Sequence, residues 1–458
     1  MKKKLALLII ASMLGILSGC TADKTLQTEE TQNETGKEEE VVSNNEVERP
    51  FEGTTLTIMM DGGDSGAQMQ MEAFDHCAEI MGVEVKYDVY PSDQYLSVVN
   101  TKLATGNGGD LLWGNKGLQM LYSDAFVPLE WEWMDKMSDI TKMFCMDDAG
   151  NYLAAPVGPE NNMGLLYNEK VLEASGVTLP IADYNEFIEA CKKIKEAGYT
   201  PLYVSNKEQW TAQILLLCSM TPIFDKNPDY IEQLTNNKIK PSDIPELKEL
   251  FERVVALRDE KLINEDYMSA TNDMGLQSVA TGESAFYAVL DSSYGTLVKD
   301  YPEEVKQMGL TTCPMWIDKD YAMIMNNKSI GYLYVVDGPN VNAAKEFVNN
   351  MLQEDSFSYL YNLIPGKAPY EGLDFEVEMN DFGKEIVALH EETEIPYYAQ
   401  WNDAIYKPYN SDIMTNFYGE FAKCIQDLFA GMSVDEVMEQ WYNNYAADAK
   451  ALRLEGWE

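Results

Sequence analysis

Histidine is almost absent from this chain, with only His76 and His390 in 458 residues. Bases are scarce too: 34 Lys and Arg face 76 Asp and Glu, a formal net charge of −42. Such a field excludes nucleic acid and anionic lipid as partners, and disfavours an anionic substrate unless a local basic pocket overrides it. No HExxH, CxxC or P-loop pattern occurs, so zinc and nucleotide chemistry have no support and no metal or cofactor is expected. The seven cysteines are dispersed. Setting Cys20 aside, Cys77, Cys145, Cys191, Cys218, Cys313 and Cys424 stand mostly within apolar stretches, and no spacing selects one of their fifteen pairings. Buried free thiols are the favoured reading, although an oxidising compartment would permit disulfides.

Only one long hydrophobic run opens the chain. Lys2, Lys3 and Lys4 precede an apolar stretch from Leu5 to Leu17, and Ser18 and Gly19 follow it. These are the parts of a secretory signal. The run is shorter than the roughly 20 residues that span a bilayer. Leu17-Ser18-Gly19-Cys20 resembles the lipobox of bacterial lipoproteins, which implies cleavage of residues 1–19 and lipid attachment to Cys20. Residues 21–50 hold nine acids, three bases and hardly any aliphatic side chains. Such a segment cannot bury enough apolar surface to offset its ordering entropy, so 20–50 reads as a disordered acidic tether. The expected location is the outer face of the bacterial cell membrane, held by the lipid anchor alone.

The body beyond residue 50 is too long for one small core and suggests two domains. TTLTIMM reads as a strand with Leu56, Ile58 and Met60 on one face, followed by a helix carrying Phe74, Cys77, Ala78 and Met81 at helical spacing. VEVKYDVY is a second strand, PSDQYLSVVNTKLATG a helix closed near Gly106, and DLLWG a third strand. This alternation predicts an open, mainly parallel α/β sheet, which binds ligands outside the carboxyl ends of its strands. The loops DGGDSG (61–66) and WGN (113–115) are therefore the places to look. Further on, Asp183 and Glu186 form a capping box for a helix with Phe187, Cys191 and Ile194 in line, closed by Gly198.

GLLYNEKVLEASGV followed by PIADYNEFIEACKKIKEAG resembles the signature of bacterial extracellular solute-binding proteins of the sugar-binding class, which serve ATP-driven importers. GGDLLWGN, TGESAFYAVLDSSYG and NVNAAKEFVNNMLQEDSFSYLYNLIPGKAP resemble further segments of the same family, in the same order. Gly109 replaces the family's usual proline, and Tyr294 occupies its tryptophan slot. The resemblance implies a two-lobe α/β fold of the periplasmic-binding-protein type (type II style) with three hinge crossings, placed near Pro156, Thr311 and Lys367. Lobe 1 would comprise 51–156 plus 312–366, and lobe 2 157–311 plus 367–458. Ligand would lie between the lobes, which close by a hinge motion. The implied partners are a carbohydrate, an oligosaccharide in the leading reading, and an ABC permease in the membrane; the protein itself is expected to be a monomer.

A sugar site needs aromatic faces for C–H surfaces and carboxylates or amides for hydroxyls. The chain has eight Trp and 27 Tyr to supply them. Trp113 follows the third strand, Trp210 falls where the family presents an aromatic from its second lobe, and Asp291 and Tyr294 align with the ligand-side segment. Asp64 and Asp110 are weaker candidates, suited to fixing turns, and Trp131 and Trp133 read as packing. GDSG (63–66) also resembles the nucleophile segment of chymotrypsin-like proteases, but that chemistry needs a histidine before the serine, and both histidines follow Ser65. His76 is a surface or packing residue. Two other readings stay open: a secreted glycoside hydrolase working through a carboxylate pair, and an adhesin or sensor's accessory binding protein.

Overall fold

The computed structural model describes residues 49–457 except 63–65, 115–117, 119–121, 148, 228, 316–324, 327–330, 376–377, 393–420, 452 and 454–455. The signal segment, Cys20 and most of the tether lie outside the described residues, as does Asp64. Among the described residues no helix is long and apolar enough to cross a membrane.

The first sheet takes the strand order β2-β1-β3-β10-β4. Its strands are β1 (Thr55–Asp61), β2 (Glu84–Tyr90), β3 (Leu111–Gly114), β4 (Ala155–Pro156) and β10 (Tyr332–Val335). The first three run parallel, as their alternation with helices predicts. β10 enters antiparallel to both β3 and β4, because the chain reaches it from the second lobe. In β1, Leu56, Ile58, Met59 and Met60 are all fully buried, because helices cover both faces of this interior strand. α1 (Ala67–Met81) turns Met69, Ala73, Phe74, Cys77 and Met81 inward and stops at Gly82, whose φ of +72° suits the left-handed helix end. α2 (Ser92–Ala104) covers the other side.

The second sheet has the order β6-β7-β5-β8 and is mainly antiparallel, a direction that the sequence reading did not address. β5 (Asn162–Asn168) runs against both β7 (Ser284–Leu290) and β8 (Met308–Thr311), and only β6 (Thr200–Tyr203) is parallel to β7. β9 (Met325–Asn326) pairs with β5. β9 thus belongs to the second sheet and β10 to the first.

Around this sheet lie α3 (Tyr184–Glu196), α4 (Gln209–Lys226), α5 (Pro245–Asp259) and α6 (Asn272–Ala280). α3 begins as its sequence predicts: Asp183 accepts from the Glu186 N–H at 3.0 Å, and the Glu186 carboxylate accepts from the Ala182 N–H at 3.0 Å. The strand alternation sends Leu165, Leu202, Phe286 and Ala288 into the core under α4, and Leu166, Tyr287, Val289 and Leu310 to the other face. That second face is continuous with the first-lobe core through α7 (Tyr294–Asp300). Any side chain at Gly295 would collide with Met69 of α1 and with the Leu363 carbonyl, so the lobes meet closely here.

The connecting segments are tied side by side. The Val157 N–H donates to the Gly331 carbonyl at 2.9 Å, and the Glu160 N–H to the Lys367 carbonyl at 2.9 Å. Beyond them α8 (Val341–Met351) and α9 (Glu354–Leu363) pack on α1, α10 (Asp381–Glu392) lies on β8, and α11 (Val434–Ala451) packs against α5. Cys77, Cys145, Cys191, Cys313 and Cys424 are buried free thiols. Burial pushes the Cys77 thiol up to about 12, so it stays protonated.

Candidate functional site

In the first sheet the parallel strands point their carboxyl ends toward the crossings. Trp113, the last residue but one of β3, is only 3% exposed and part of the first-lobe core. The Tyr95 hydroxyl donates to the Trp113 carbonyl, which pins the strand end. The indole lies against Gly331, where a Cβ would collide with the ring. Its Nε1 has no hydrogen-bond partner among the described residues, and neither does the Tyr332 hydroxyl on the adjacent strand. Asp110 lies at the other end of β3. Its carboxylate accepts from the Thr57 N–H at 2.8 Å, closing the turn into the strand. Gly109 beside it has φ +73° and would place a Cβ 2.9 Å from the Thr57 carbonyl, so glycine suits both the conformation and the close approach.

In the second sheet β7 runs into a turn, Asp291–Ser293, and then α7. Asp291 is 3% exposed. Its Oδ2 accepts from the Asn162 N–H at 2.9 Å and lies 2.9 Å from His390 Nε2. Burial raises the pKa of this carboxyl, and the hydrogen bond to His390 opposes the shift. Tyr294 is also 3% exposed: its hydroxyl donates to Asn380 Oδ1 at 3.0 Å, and its ring meets Phe382 at 5.7 Å. It packs the seam between α7 and α10 rather than presenting a ring face.

Trp210 is the second residue of α4, half-buried against the second-lobe core. Beside it lies a buried polar network at the carboxyl end of β6. Ser205 Oγ and Tyr287 Oη are 2.7 Å apart, the Tyr287 hydroxyl donates to Asn272 Oδ1 at 2.9 Å, and Thr211 Oγ1 donates to the Ser205 carbonyl at 2.7 Å. Asn206 Oδ1 and Gln213 Oε1 have no partner among the described residues.

The structure thus gathers Asp291 and Tyr294 at one strand end, with Trp113 at the end of β3 and Trp210 at the start of α4; Asp110 is apart from them. Sequence reasoning missed Asn162 and His390. The pair Asn161-Asn162 heading an otherwise apolar strand was a readable signal, whereas the 99-residue separation of His390 from Asp291 hid their contact. His76 stacks on Tyr359 at 4.2 Å, on the pair α1 and α9. Among the described residues no cluster of three or more His, Cys, Asp or Glu could hold a metal ion.

One carboxyl near this region titrates close to neutrality. Burial, reinforced by Glu169, pushes Glu385 of α10 up to about 7. The folded state then holds a proton that the unfolded chain releases at ordinary glutamate pKa. Its contribution is full below that value and is lost as pH rises through about 7. Melting temperatures between pH 4 and 8 should show this decline in the wild type and a smaller one in Glu385→Gln; identical profiles would exclude it.

The sequence model of the bacterial extracellular solute-binding proteins matches residues 62–356. A chitin oligosaccharide binding protein superposes with a TM-score of 0.72 at 18% identity, covering 87% of this chain and 99% of that one. RafE, a solute-binding protein in complex with raffinose, gives 0.68 at 14% identity, covering 86% and 98%. A sugar transporter from Bacillus licheniformis in complex with stachyose gives 0.66 at 19% identity, covering 88% and 100%. No curated protein sequence matches the chain. With well over half of its length matched, this chain belongs to the bacterial extracellular solute-binding proteins.

Proposed function

We propose that the protein captures a carbohydrate, an oligosaccharide by preference, between its two lobes and delivers it to an ABC-type permease. The observation that carries this reading is the collection of buried polar groups at the strand ends without hydrogen-bond partners among the described residues, in a chain of a solute-binding family. Hydroxyl-rich ligands supply both donors and acceptors to such groups. The structural neighbours named for chitin oligosaccharide, raffinose and stachyose support the same ligand class. In this reading Trp210 and the edge of Trp113 contact the sugar, with Asp291 taking hydroxyls and Tyr294 supporting the turn that holds it; Asp64 is proposed from the sequence alone.

A thermal-shift panel of mono- and oligosaccharides tests the reading. A ligand at a hundredfold excess over its Kd should add about 2.7 kcal/mol of stability. The sugar that binds should be recovered intact; product formation above a buffer control would favour a hydrolase instead.

The lipid anchor is proposed from Leu17-Ser18-Gly19-Cys20 and the polar stretch behind it. More than one acyl chain makes such an anchor durable. Cys20→Ala should release the protein from the membrane fraction and leave sugar affinity unchanged. Retention of the variant in that fraction would refute the anchor.

A further inference from the structure

We propose that Asn162 and Asp291 form a subsite for two adjacent sugar hydroxyls, with His390 as the residue that positions the carboxylate. This rests on the carbohydrate reading and adds to it residues that the sequence did not single out. β5 and β7 pair with Met163 opposite Leu290, so Asn162 and Asp291 stand together where the two strands end. Asn162 is fully buried, and both Nδ2 and Oδ1 of its amide lack a hydrogen-bond partner among the described residues. The same holds for Asp291 Oδ1 and Ser293 Oγ. Folded proteins seldom leave buried polar atoms unmatched, and here four gather around one backbone-to-carboxylate hydrogen bond.

The chemistry of the four atoms selects the guest. A carboxylate oxygen only accepts, whereas an amide offers both a donor and an acceptor. Two neighbouring hydroxyls can donate to Asp291 Oδ1 and Asn162 Oδ1 while accepting from Asn162 Nδ2. The bond to the carboxylate is charge-assisted and so the stronger one. An anionic group would meet Asp291 unfavourably. His390 is itself 3% exposed and, with the Asn162 N–H, occupies Oδ2. Those contacts, with the Ser292 N–H that also faces the carboxylate, fix its plane, and Oδ1 has no hydrogen-bond partner among the described residues.

Calorimetric titration of the purified full-length protein with raffinose, stachyose and chitin oligosaccharides provides the test. Asn162→Ala removes an amide that has no hydrogen-bond partner among the described residues, so the ligand-free melting temperature should hold or rise. Affinity for the sugar that binds should fall roughly tenfold or more. His390→Gln keeps an N–H donor and should stay within about threefold of the wild type, whereas His390→Leu should lose roughly tenfold. In an Asp291→Asn background the His390→Leu change should cost no further affinity, a coupling that a merely structural role would not produce. A lower melting temperature with unchanged affinity in Asn162→Ala would make the amide structural and overturn the subsite. Binding that none of these variants alters overturns the subsite alone. If the wild type binds none of the sugars, the carbohydrate reading falls and the subsite with it.

Discussion

Trp113→Ala should lower the stability of the protein by about 3–5 kcal/mol, the scale for deleting a buried tryptophan. The side chain is 3% exposed, sits at the end of β3 in the first-lobe core and packs on the crossing residue Gly331. Any loss of sugar affinity in this variant would therefore come with a sharply lower melting transition. Trp210→Ala should behave otherwise. Its ring is half-buried at the start of α4, beside the polar end of β6, and its removal should weaken sugar binding by about 1–3 kcal/mol with folding nearly intact. Calorimetric affinity and the ligand-free melting point, measured on both variants, separate wall from core. A Trp210→Ala protein with normal affinity and a much lower melting point would assign that ring to the core.

Gly366→Ala should cost about 3 kcal/mol, at the upper end of the overpacking range. A Cβ at this position would fall on the Glu160 carbonyl oxygen and crowd Pro159, and neither can rotate away. The collision lies one residue from the Glu160-to-Lys367 hydrogen bond and at the carbonyl that accepts from Tyr361. The first and third crossings would have to separate, and sugar-induced closure should change with them. Melting temperature and small-angle scattering with and without sugar would register the change. A variant that melts and closes like the wild type would show that the two segments slide apart freely.

Local chemistry was legible in the sequence, and long-range pairing was not. Leu56, Ile58 and Met60 marked β1, Phe74 and Cys77 marked the inner face of α1, and the Asp183–Glu186 capping box formed at the start of α3. The reversal of strand direction in the second sheet left no local trace, because antiparallel β5 and β7 are separated by over a hundred residues. Met325–Asn326 carry too short a pattern to announce a strand. For the candidate site, DLLWG reads alike whether its tryptophan lines a cleft or fills a core. Tyr294 likewise stood in a ligand-side motif, yet its hydroxyl is committed to Asn380. Only the three-dimensional neighbours of these rings distinguish the two cases.

The place of β10 in the first sheet also bears on how the chain can be made. β10 lies between β3 and β4, although it is the last of the three in sequence. A chain growing from its amino terminus has β4 in hand some 175 residues before the strand that joins it to the sheet. The first lobe therefore cannot close its edge until most of the polypeptide exists, and pairings of such long sequence separation form slowly. During that interval Ala155 and its neighbours have no strand to bind. The same threading that lets three segments serve as a hinge leaves the nascent protein open longer than two independent domains would be.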